Sequence, residues 1–434
     1  MRVAVVNTHD IHGGAARAAY RVHRSLNGVG VRSTYYVQNR TLADPSIQDY
    51  VPDPSPAAIA AREDRRAART QRYDAYAATR SADIELFSPA VWNDDPNILL
   101  QRPRADVINL HWVARFLDVP RVFDPSAIRT PIVWTLHDMN PFTGGCHYDQ
   151  GCGKWRQSCG ACPLLGSSSA ADLSHEILGQ KVAALKHWPD EMLHVVAPSR
   201  WLLREALASP LFSRFDGTHA PNGIETDVFH PVADRAAARA ALGWPADARV
   251  VLFVSNHIKL ARKGFGQLVR ALSLLPDHDR LMLVGVGDSH VLTADLPFKV
   301  ALAPFIKNDA DMAQLYGAAD VTAIPSQQDN LPNTILESLS CATPVVAFAV
   351  GGIPDVIVDG DTGFLARPGN VGELAVAFSR AFGDPGELAA CGRRGRALME
   401  RDYALNRLGD RYRAVFEDVI ARAHGRPIGV PSSL

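Results

Sequence analysis

The chain has 434 residues, of which 47% are hydrophobic, 21% charged and 8% aromatic, a globular composition that excludes disordered, fibrous and membrane-spanning classes. Lys and Arg number 45 against 46 Asp and Glu, so no net field draws the protein onto nucleic acid or an anionic bilayer. Six cysteines are too few for a disulfide scaffold at this length, yet four of them fall between Cys146 and Cys162.

The opening MRVAVVNTHD has one Arg and four apolar residues before Asn7, without the longer apolar stretch and small-residue cleavage site of a secretory signal. No apolar run approaches the ~20 residues that span a bilayer. The expected location is cytoplasmic, with a place at the inner face of the cytoplasmic membrane left open. Short runs rich in Val, Ile and Leu at Arg2–Asn7, Arg32–Val37, Asp106–Leu110, Ile132–Leu136 and His194–Ala197 predict buried strands. Helical stretches such as Gly14–Leu26 and Ile177–His187 separate them. The alternation restarts with strands at Arg249–Ser255, Arg280–Val284, Lys299–Leu302, Asp320–Ile324 and Pro344–Phe348, and helices at Gly264–Leu274, Asp309–Ala318 and Thr334–Ser340. This is an α/β protein with two Rossmann-like domains. The breaker-rich segment Ala220–Pro231 is the linker. The division expected is residues 1–222, 223–405, and a C-terminal amphipathic helix within 406–434, carrying Leu408, Tyr412, Val415 and Val419, that packs back on the first domain. Ala57–Arg80 is locally biased, with Arg62, Arg65, Arg66, Arg69 and Arg72 on one helical face. It is either a solvated face or a contact for anionic lipid headgroups or a phosphate-bearing acceptor.

The residues that carry chemistry lie at predicted strand ends, where open parallel sheets bind ligands. His12-Gly13-Gly14-Ala15 follows the first strand and opens a helix, which lets backbone N–H groups approach a phosphate or sugar. It is not the dinucleotide fingerprint, because G-x-G-x-x-G is absent. His111 and the pair His137-Asp138 end neighbouring strands. A histidine there serves packing or meets a sugar hydroxyl, and an adjacent carboxylate can orient it. Cys146, Cys152, Cys159 and Cys162 follow in the pattern C-x5-C-x6-C-x2-C. A structural zinc, free packing thiols and disulfides all remain open for them. SNHIKLARKG, Ser255–Gly264, then places Lys259, Arg262 and Lys263 in a loop. These cations either neutralise a diphosphate or form a solvated basic loop. Finally, Ser326-Gln327-Gln328-Asp329-Asn330-Leu331-Pro332-Asn333-Thr334-Ile335-Leu336-Glu337 puts one carboxylate in a loop and a second about one turn into a helix. The first can grip sugar hydroxyls, the second the paired hydroxyls of a ribose, and the helix amides a phosphate.

With these residues in hand, the chain resembles a retaining glycosyltransferase of family 4, which has the GT-B fold of two Rossmann-like domains facing each other across a cleft. The resemblance runs over essentially the whole chain. It is strongest over Ser255–Leu365, including Glu337-Ser338-Leu339-Ser340-Cys341-Ala342-Thr343-Pro344, Gly351-Gly352-Ile353-Pro354-Asp355 and Asp361-Thr362-Gly363-Phe364-Leu365. It implies that Glu337 holds the nucleotide ribose and Asp329 the donor sugar. Asn330, Leu331, Pro332, Asn333 and Thr334 would approach sugar and phosphate. Lys263 would bind the diphosphate, His137 would sit near the transferred sugar, and Gly13 and Gly14 would form the N-terminal loop. Phe305, Ile306 and Lys307 would clasp the base; His12, His111 and Asp138 would lie on the acceptor side.

Two positions depart from the pattern. Asp329 stands where the family has Glu, shortening its reach by one methylene. His257 stands where the family usually has an Arg, leaving Arg262 or Lys259 to take its place. The His147-Tyr148-x-x-Gly151-Cys152 and Cys159-Gly160-x-Cys162-Pro163 wording looks like a bacterial exopolysaccharide or colanic-acid-type subgroup. The implied activity is metal-independent transfer of a sugar from a UDP- or GDP-linked donor to a hydroxyl of a glycan or polyprenyl-diphosphate-linked acceptor. Catalysis would rest on His137, Asp329 and Lys263, and domain closure would exclude water. The alternatives are a nucleotide-sugar epimerase of the same fold and a non-catalytic sugar-nucleotide-binding assembly protein. A phosphorylase would require pyridoxal phosphate, for which no motif is seen.

Overall fold

Val3, Ala4, Val5 and Val6 put no polar side chain into the first strand until Asn7, and the segment is buried on both faces. That is the signature of a central parallel strand covered by helices. In the computed structural model, which describes residues 1–80, 86–89, 98–124, 128–258, 260–288, 296–303, 306 and 308–425, the chain divides into two units: Met1–Pro221 with Leu408–Leu434, and Asn222–Arg407.

The first unit holds seven parallel strands: β1 (Arg2–His9), β2 (Arg32–Asn39), β3 (Ile47–Asp49), β4 (Val107–Leu110), β5 (Ile132–Thr135), β6 (Leu193–Ala197) and β7 (Asp216–His219), in the order β3-β2-β1-β4-β5-β6-β7. The second holds six: β8 (Arg249–His257), β9 (Leu281–Asp288), β10 (Lys299–Ala303), β11 (Val321–Ile324), β12 (Val345–Phe348) and β13 (Gly363–Ala366), in the order β10-β9-β8-β11-β12-β13. Each order reverses once, between β1 and β4 and between β8 and β11. Loops leaving the carboxyl ends of strands beside such a reversal diverge and open a crevice.

The helices of the first unit are α1 (Gly14–Gly28), α2 (Pro56–Asp74), α3 (Val119–Val122), α4 (Leu173–Leu185) and α5 (Arg200–Leu207). Those of the second are α6 (Arg235–Ala241), α7 (Phe265–Ser273), α8 (Asp309–Ala318), α9 (Asn333–Ser340), α10 (Val371–Gly383) and α11 (Pro385–Leu398). The last helix, α12 (Leu405–Ala423), runs into the first unit. Its buried stripe is Leu408, Tyr412, Phe416 and Val419. Phe416, not the half-buried Val415, completes the stripe, as four-residue steps along a helix require. A Cβ on Gly409 would lie 2.5 Å from the Ser25 carbonyl oxygen, so only glycine lets α12 lie that close to α1. Arg422 pairs with Asp216 at 2.9 Å and anchors the other end. By contrast α2 buries no residue, and Arg72 near its end pairs with Glu176. Among the described residues, no helix is long and apolar enough to cross a membrane.

Candidate functional site

In the second unit the loops after β8 and β11, the two strands flanking the reversal, are locked together. Gly264 has a φ of 75°, and a Cβ there would come within 1.9 Å of the Pro325 carbonyl oxygen. The backbone thus approaches as only glycine permits. Gln327 N–H donates to the Arg262 carbonyl at 2.7 Å across the same seam. This brings Lys263 and Arg262 onto Asp329. Lys263 Nζ donates to Asp329 Oδ2 at 2.6 Å, and an Arg262 guanidinium nitrogen stands 3.5 Å from the same oxygen. The Ser326 hydroxyl donates at 3.1 Å and Asn330 N–H donates to Oδ1 at 3.1 Å. Burial pushes the Asp329 carboxyl up, but the charges of Lys263 and Arg262 outweigh it and hold the group down at about 2. Asp329 is therefore an ionised, buried anion with two cations on it.

Arg262, one of the two residues open as a replacement for His257, stands on the carboxylate. His257 ends β8 with its side chain exposed. Lys259, Phe305 and Lys307 lie outside the described residues; Ile306 is half-buried against the core. Leu331 is buried, Pro332 precedes the first turn of α9, and Asn333 and Thr334 open the helix. Glu337 sits one turn in, buried, and accepts a hydrogen bond from the Tyr316 hydroxyl at 2.9 Å. The buried carboxylate thus has the partner that burial demands.

In the first unit, His111 follows β4 and His137 follows β5. Their rings stack with centroids 5.1 Å apart, and His111 Nδ1 lies 2.9 Å from His137 Nε2. The protons can be assigned from Asn109. Its amide NH2 donates to the Val133 carbonyl at 3.1 Å and the Thr135 hydroxyl at 2.9 Å. Asn109 Oδ1 therefore faces His111 Nε2 at 2.7 Å as an acceptor. His111 carries its hydrogen on Nε2, so its Nδ1 accepts from His137 Nε2–H. Burial pushes both rings toward the neutral form, His111 well below the usual histidine value and His137 to about 4. Asp138 is held by His147 Nδ1 at 2.5 Å, the Trp112 indole N–H at 2.9 Å and Asn140 N–H at 2.9 Å. Burial raises its carboxyl, but the pairing with His147 and these donors bring it below the ordinary range. His111, His137 and Asp138 line one pocket together with Trp112 and Lys181. His12 and Gly13 are exposed at the start of α1, where Gly13 has a φ of 91° and open space around it.

Several contributors escape sequence reasoning. Asn109, Tyr316 and Ser326 act across strands and loops, so no local motif marks them. Asp10, one residue past β1, collects the N–H groups of Thr41 and Leu42 at 2.5 and 2.6 Å and holds the loop after β2. Lys181 is 1% exposed, with Nζ on the Asn140 and Thr143 carbonyls at 2.6 and 3.0 Å.

Residues 248–384 match the family model described as Glycosyl transferases group 1. D-inositol 3-phosphate glycosyltransferase of Mycobacterium tuberculosis (strain ATCC 25618 / H37Rv) is 34% identical over 233 residues, covering 50% of this chain and 45% of that protein. The same figures hold for the enzyme of Mycobacterium bovis (strain ATCC BAA-935 / AF2122/97). The chain thus spans about half the length of the curated relatives it matches. Among solved structures, sucrose-phosphate synthase from Thermosynechococcus elongatus superposes with a TM-score of 0.64 at 18% identity, covering 97% of this chain and 99% of that one. Anabaena Alr3699/HepE in complex with UDP-glucose gives 0.62 at 17%, covering 96% and 99%. WaaG, a glycosyltransferase involved in lipopolysaccharide biosynthesis, gives 0.61 at 16%, covering 95% and 99%. The fold is therefore GT-B, two Rossmann-like domains, and the segment that matches the group 1 model spans both loops around Asp329.

Proposed function

We propose that the protein is a retaining, metal-independent glycosyltransferase that moves a sugar from a nucleotide-sugar donor to a hydroxyl of a glycan or lipid-linked acceptor in polysaccharide biosynthesis. The observation that carries the reading is the buried Asp329 with Lys263 and Arg262 on one oxygen, beside α9 and at the strand reversal of the second unit. Lys263, Arg262 and the first amides of α9 meet the donor diphosphate, and Glu337 takes the ribose hydroxyls. Asp329 accepts from hydroxyls of the donor sugar. As the bond from the anomeric carbon to the diphosphate oxygen breaks, negative charge grows on the leaving group and the fixed cations stabilise it. They supply the positive charge a divalent ion would otherwise bring. The acceptor hydroxyl attacks from the face the leaving group vacates and passes its proton to the departing diphosphate oxygen, so configuration is retained. His137, neutral in the first unit, can exchange hydrogen bonds with a hydroxyl without adding charge.

HepE holds UDP-glucose, which supports a uridine-linked donor here. The inositol 3-phosphate enzymes favour a second acceptor reading, a phosphorylated polyol. The exposed arginines of α2 are proposed to rest on anionic lipid at the inner face of the cytoplasmic membrane; failure to float with phosphatidylglycerol vesicles removes that contact.

Nucleotide release is measured with UDP-glucose, UDP-galactose, UDP-N-acetylglucosamine and GDP-mannose. Each donor is tested alone, with a polyprenyl-diphosphate-linked glycan, and with inositol 3-phosphate. Release that requires an acceptor supports transfer and identifies its class. Conversion of the donor sugar without acceptor indicates an epimerase, and binding without turnover an assembly protein. Intact turnover in Lys263→Ala or Glu337→Ala refutes the site assignment.

A further inference from the structure

Cys146, Cys152, Cys159 and Cys162 all line one small pocket in the first unit, walled also by Gly144 and Ser174. All four are free thiols. They are close enough to act on one another electrostatically, Cys146 on Cys159 and Cys162, and Cys159 on Cys152. Cysteines that merely fill a core need no hydrogen-bond donors, because a neutral thiol is a weak acceptor. Here donors are aimed at the sulfurs. The backbone N–H groups of Leu164 and Leu165 serve Cys162. The Gly144 N–H serves Cys159. Such sets suit a thiolate.

The turn between Cys159 and Cys162 is also built at a cost. Cys159, Gly160 and Ala161 have φ values of 53°, 104° and 42°, a left-handed run that includes two residues with side chains. It is held by Ala161 N–H on the Ser169 carbonyl at 2.6 Å, Gly160 N–H on the Ser174 hydroxyl at 3.1 Å and Cys162 N–H on Asp172 at 2.8 Å.

A second, independent feature lies beside the cavity. The Lys181 ammonium is buried on two backbone carbonyls and lies within electrostatic reach of Cys146 and Cys159. Among the described residues no carboxylate stands within ion-pair distance of it. Asp138 acts on it from farther off, and a buried cation of this kind is further stabilised by anionic sulfur close by.

We propose that Cys146, Cys152, Cys159 and Cys162 bind one structural zinc ion as a closed tetrathiolate site, with Lys181 as its buried counter-cation. Among the described residues, no three His, Cys, Asp or Glu side chains already stand at metal-holding distance. The thiols therefore turn inward on the ion, to Zn–S distances of about 2.3 Å, from a cavity they already share. On binding, each of the four thiols gives up its proton to solvent. Four thiolates against a divalent ion leave a dianion, of which Lys181 offsets one charge and the aimed N–H groups disperse the remainder. With four protein ligands there is no open position for water or substrate, so the ion's role is to hold the chain. What it holds is specific. Cys146 precedes His147, whose ring grips Asp138, and the carbonyl partners of Lys181 lie between Asp138 and Cys146. The ion would pin the segment that carries His137 and Asp138.

The test uses the full chain purified without chelator from zinc-supplemented cells. Expected are one zinc per chain by elemental analysis, release of that zinc in step with mercurial titration of four thiols, and a cobalt-substituted form with intense sulfur-to-cobalt charge-transfer and tetrahedral d–d absorption. Cys162→Ser loses the ion. If that variant does not fold, the cobalt spectrum of the unaltered chain decides alone. Lys181→Met should weaken zinc retention against a chelator about 10- to 100-fold, the scale on which outer-shell partners act. Zinc well below one per chain with four thiols reactive in the native protein overturns the proposal. So does an intact mass showing two disulfides, or a cobalt spectrum without sulfur ligation.

Discussion

Replacing Lys263 by Ala removes the closest partner of a buried carboxylate. Asp329 keeps Arg262 at 3.5 Å and donors from Ser326 and Asn330 at 3.1 Å each, but loses the 2.6 Å contact. Breaking a buried ion pair from one side costs roughly 3–5 kcal/mol. Lys263 is 26% exposed and Arg262 remains, so the lower end applies, about 2–3 kcal/mol. The depressed carboxyl points the same way: it is held at about 2 against an ordinary 3.8 by Lys263, Arg262 and Ser326 together, and at ~1.4 kcal/mol per unit that whole set is worth about 2 kcal/mol. Because the folded value is depressed, this stability is fully present above pH 3.8 and is lost as the pH falls through about 2. In Lys263→Ala the carboxyl climbs back toward its ordinary value, and that acid-dependent part shrinks. Urea unfolding at pH 7 should lose about 2–3 kcal/mol. Nucleotide release with the best donor of the panel should drop about 10²–10³-fold, as expected for removal of one group that stabilises a developing anion. A wild-type urea midpoint together with turnover within a few-fold of wild type would refute both halves of the reasoning. Lost stability with intact turnover would leave Lys263 a purely structural residue.

Three further outcomes follow from the geometry. Tyr316→Phe removes the hydrogen bond that orients Glu337 and should cost about 0.5–1.5 kcal/mol in stability. It should raise the KM for the nucleotide sugar with kcat little changed; an unaltered KM rejects the orienting role. Gly264→Ala should destabilise by at least about 2 kcal/mol, since strain at positive φ adds to a collision with the Pro325 carbonyl. Gly13→Ala has open space around it, but with φ 91° and ψ 164° it sits where essentially only glycine goes, so strain alone should cost about 1–3 kcal/mol; a wild-type urea midpoint in Gly264→Ala would contradict the packing argument. His23, His137 and His194 are each held near 4 by burial, and His111 lower still. Depressed values mean that stability is complete above pH 6.5 and is lost as the pH falls toward 4. The loss is about 1.4 kcal/mol per unit for each histidine, so a flat urea midpoint between pH 7 and 5 would show that these rings are not buried and neutral.

The sheet interior was legible because strands covered on both faces must be apolar throughout. β1, β5, β8 and β12 announce themselves as runs of Val, Ile and Leu. The strands that were missed lie at sheet edges. Asp216-Gly217-Thr218-His219 has no apolar run, Ile47–Asp49 is three residues long, and Gly363–Ala366 reads first as part of a motif. An edge strand has only one neighbour and can be short or polar. In the site, Asp329 and Lys263 were each readable from their loops. Their pairing was not, because it depends on Gly264 passing against Pro325. The approach of Arg262 to the same carboxylate depends on that seam too. Lys181 falls within a stretch that reads as helix, and nothing in Ile177–His187 says that its ammonium faces inward.

The resting arrangement around Asp329 bears on how a donor would enter. Lys263 and Arg262 are already engaged with a carboxylate, so the site carries one net positive charge where the two cations alone would carry two. On the proposed function, donor binding would be an exchange of anions, in which the diphosphate relieves Asp329 of Lys263. The oxygen released would then serve the sugar that arrives with that diphosphate, so one movement of a lysine would both grip the leaving group and unmask the sugar's acceptor. Added salt should compete less with such a hand-off than with an open basic cleft, whose attraction rests on unpaired charge.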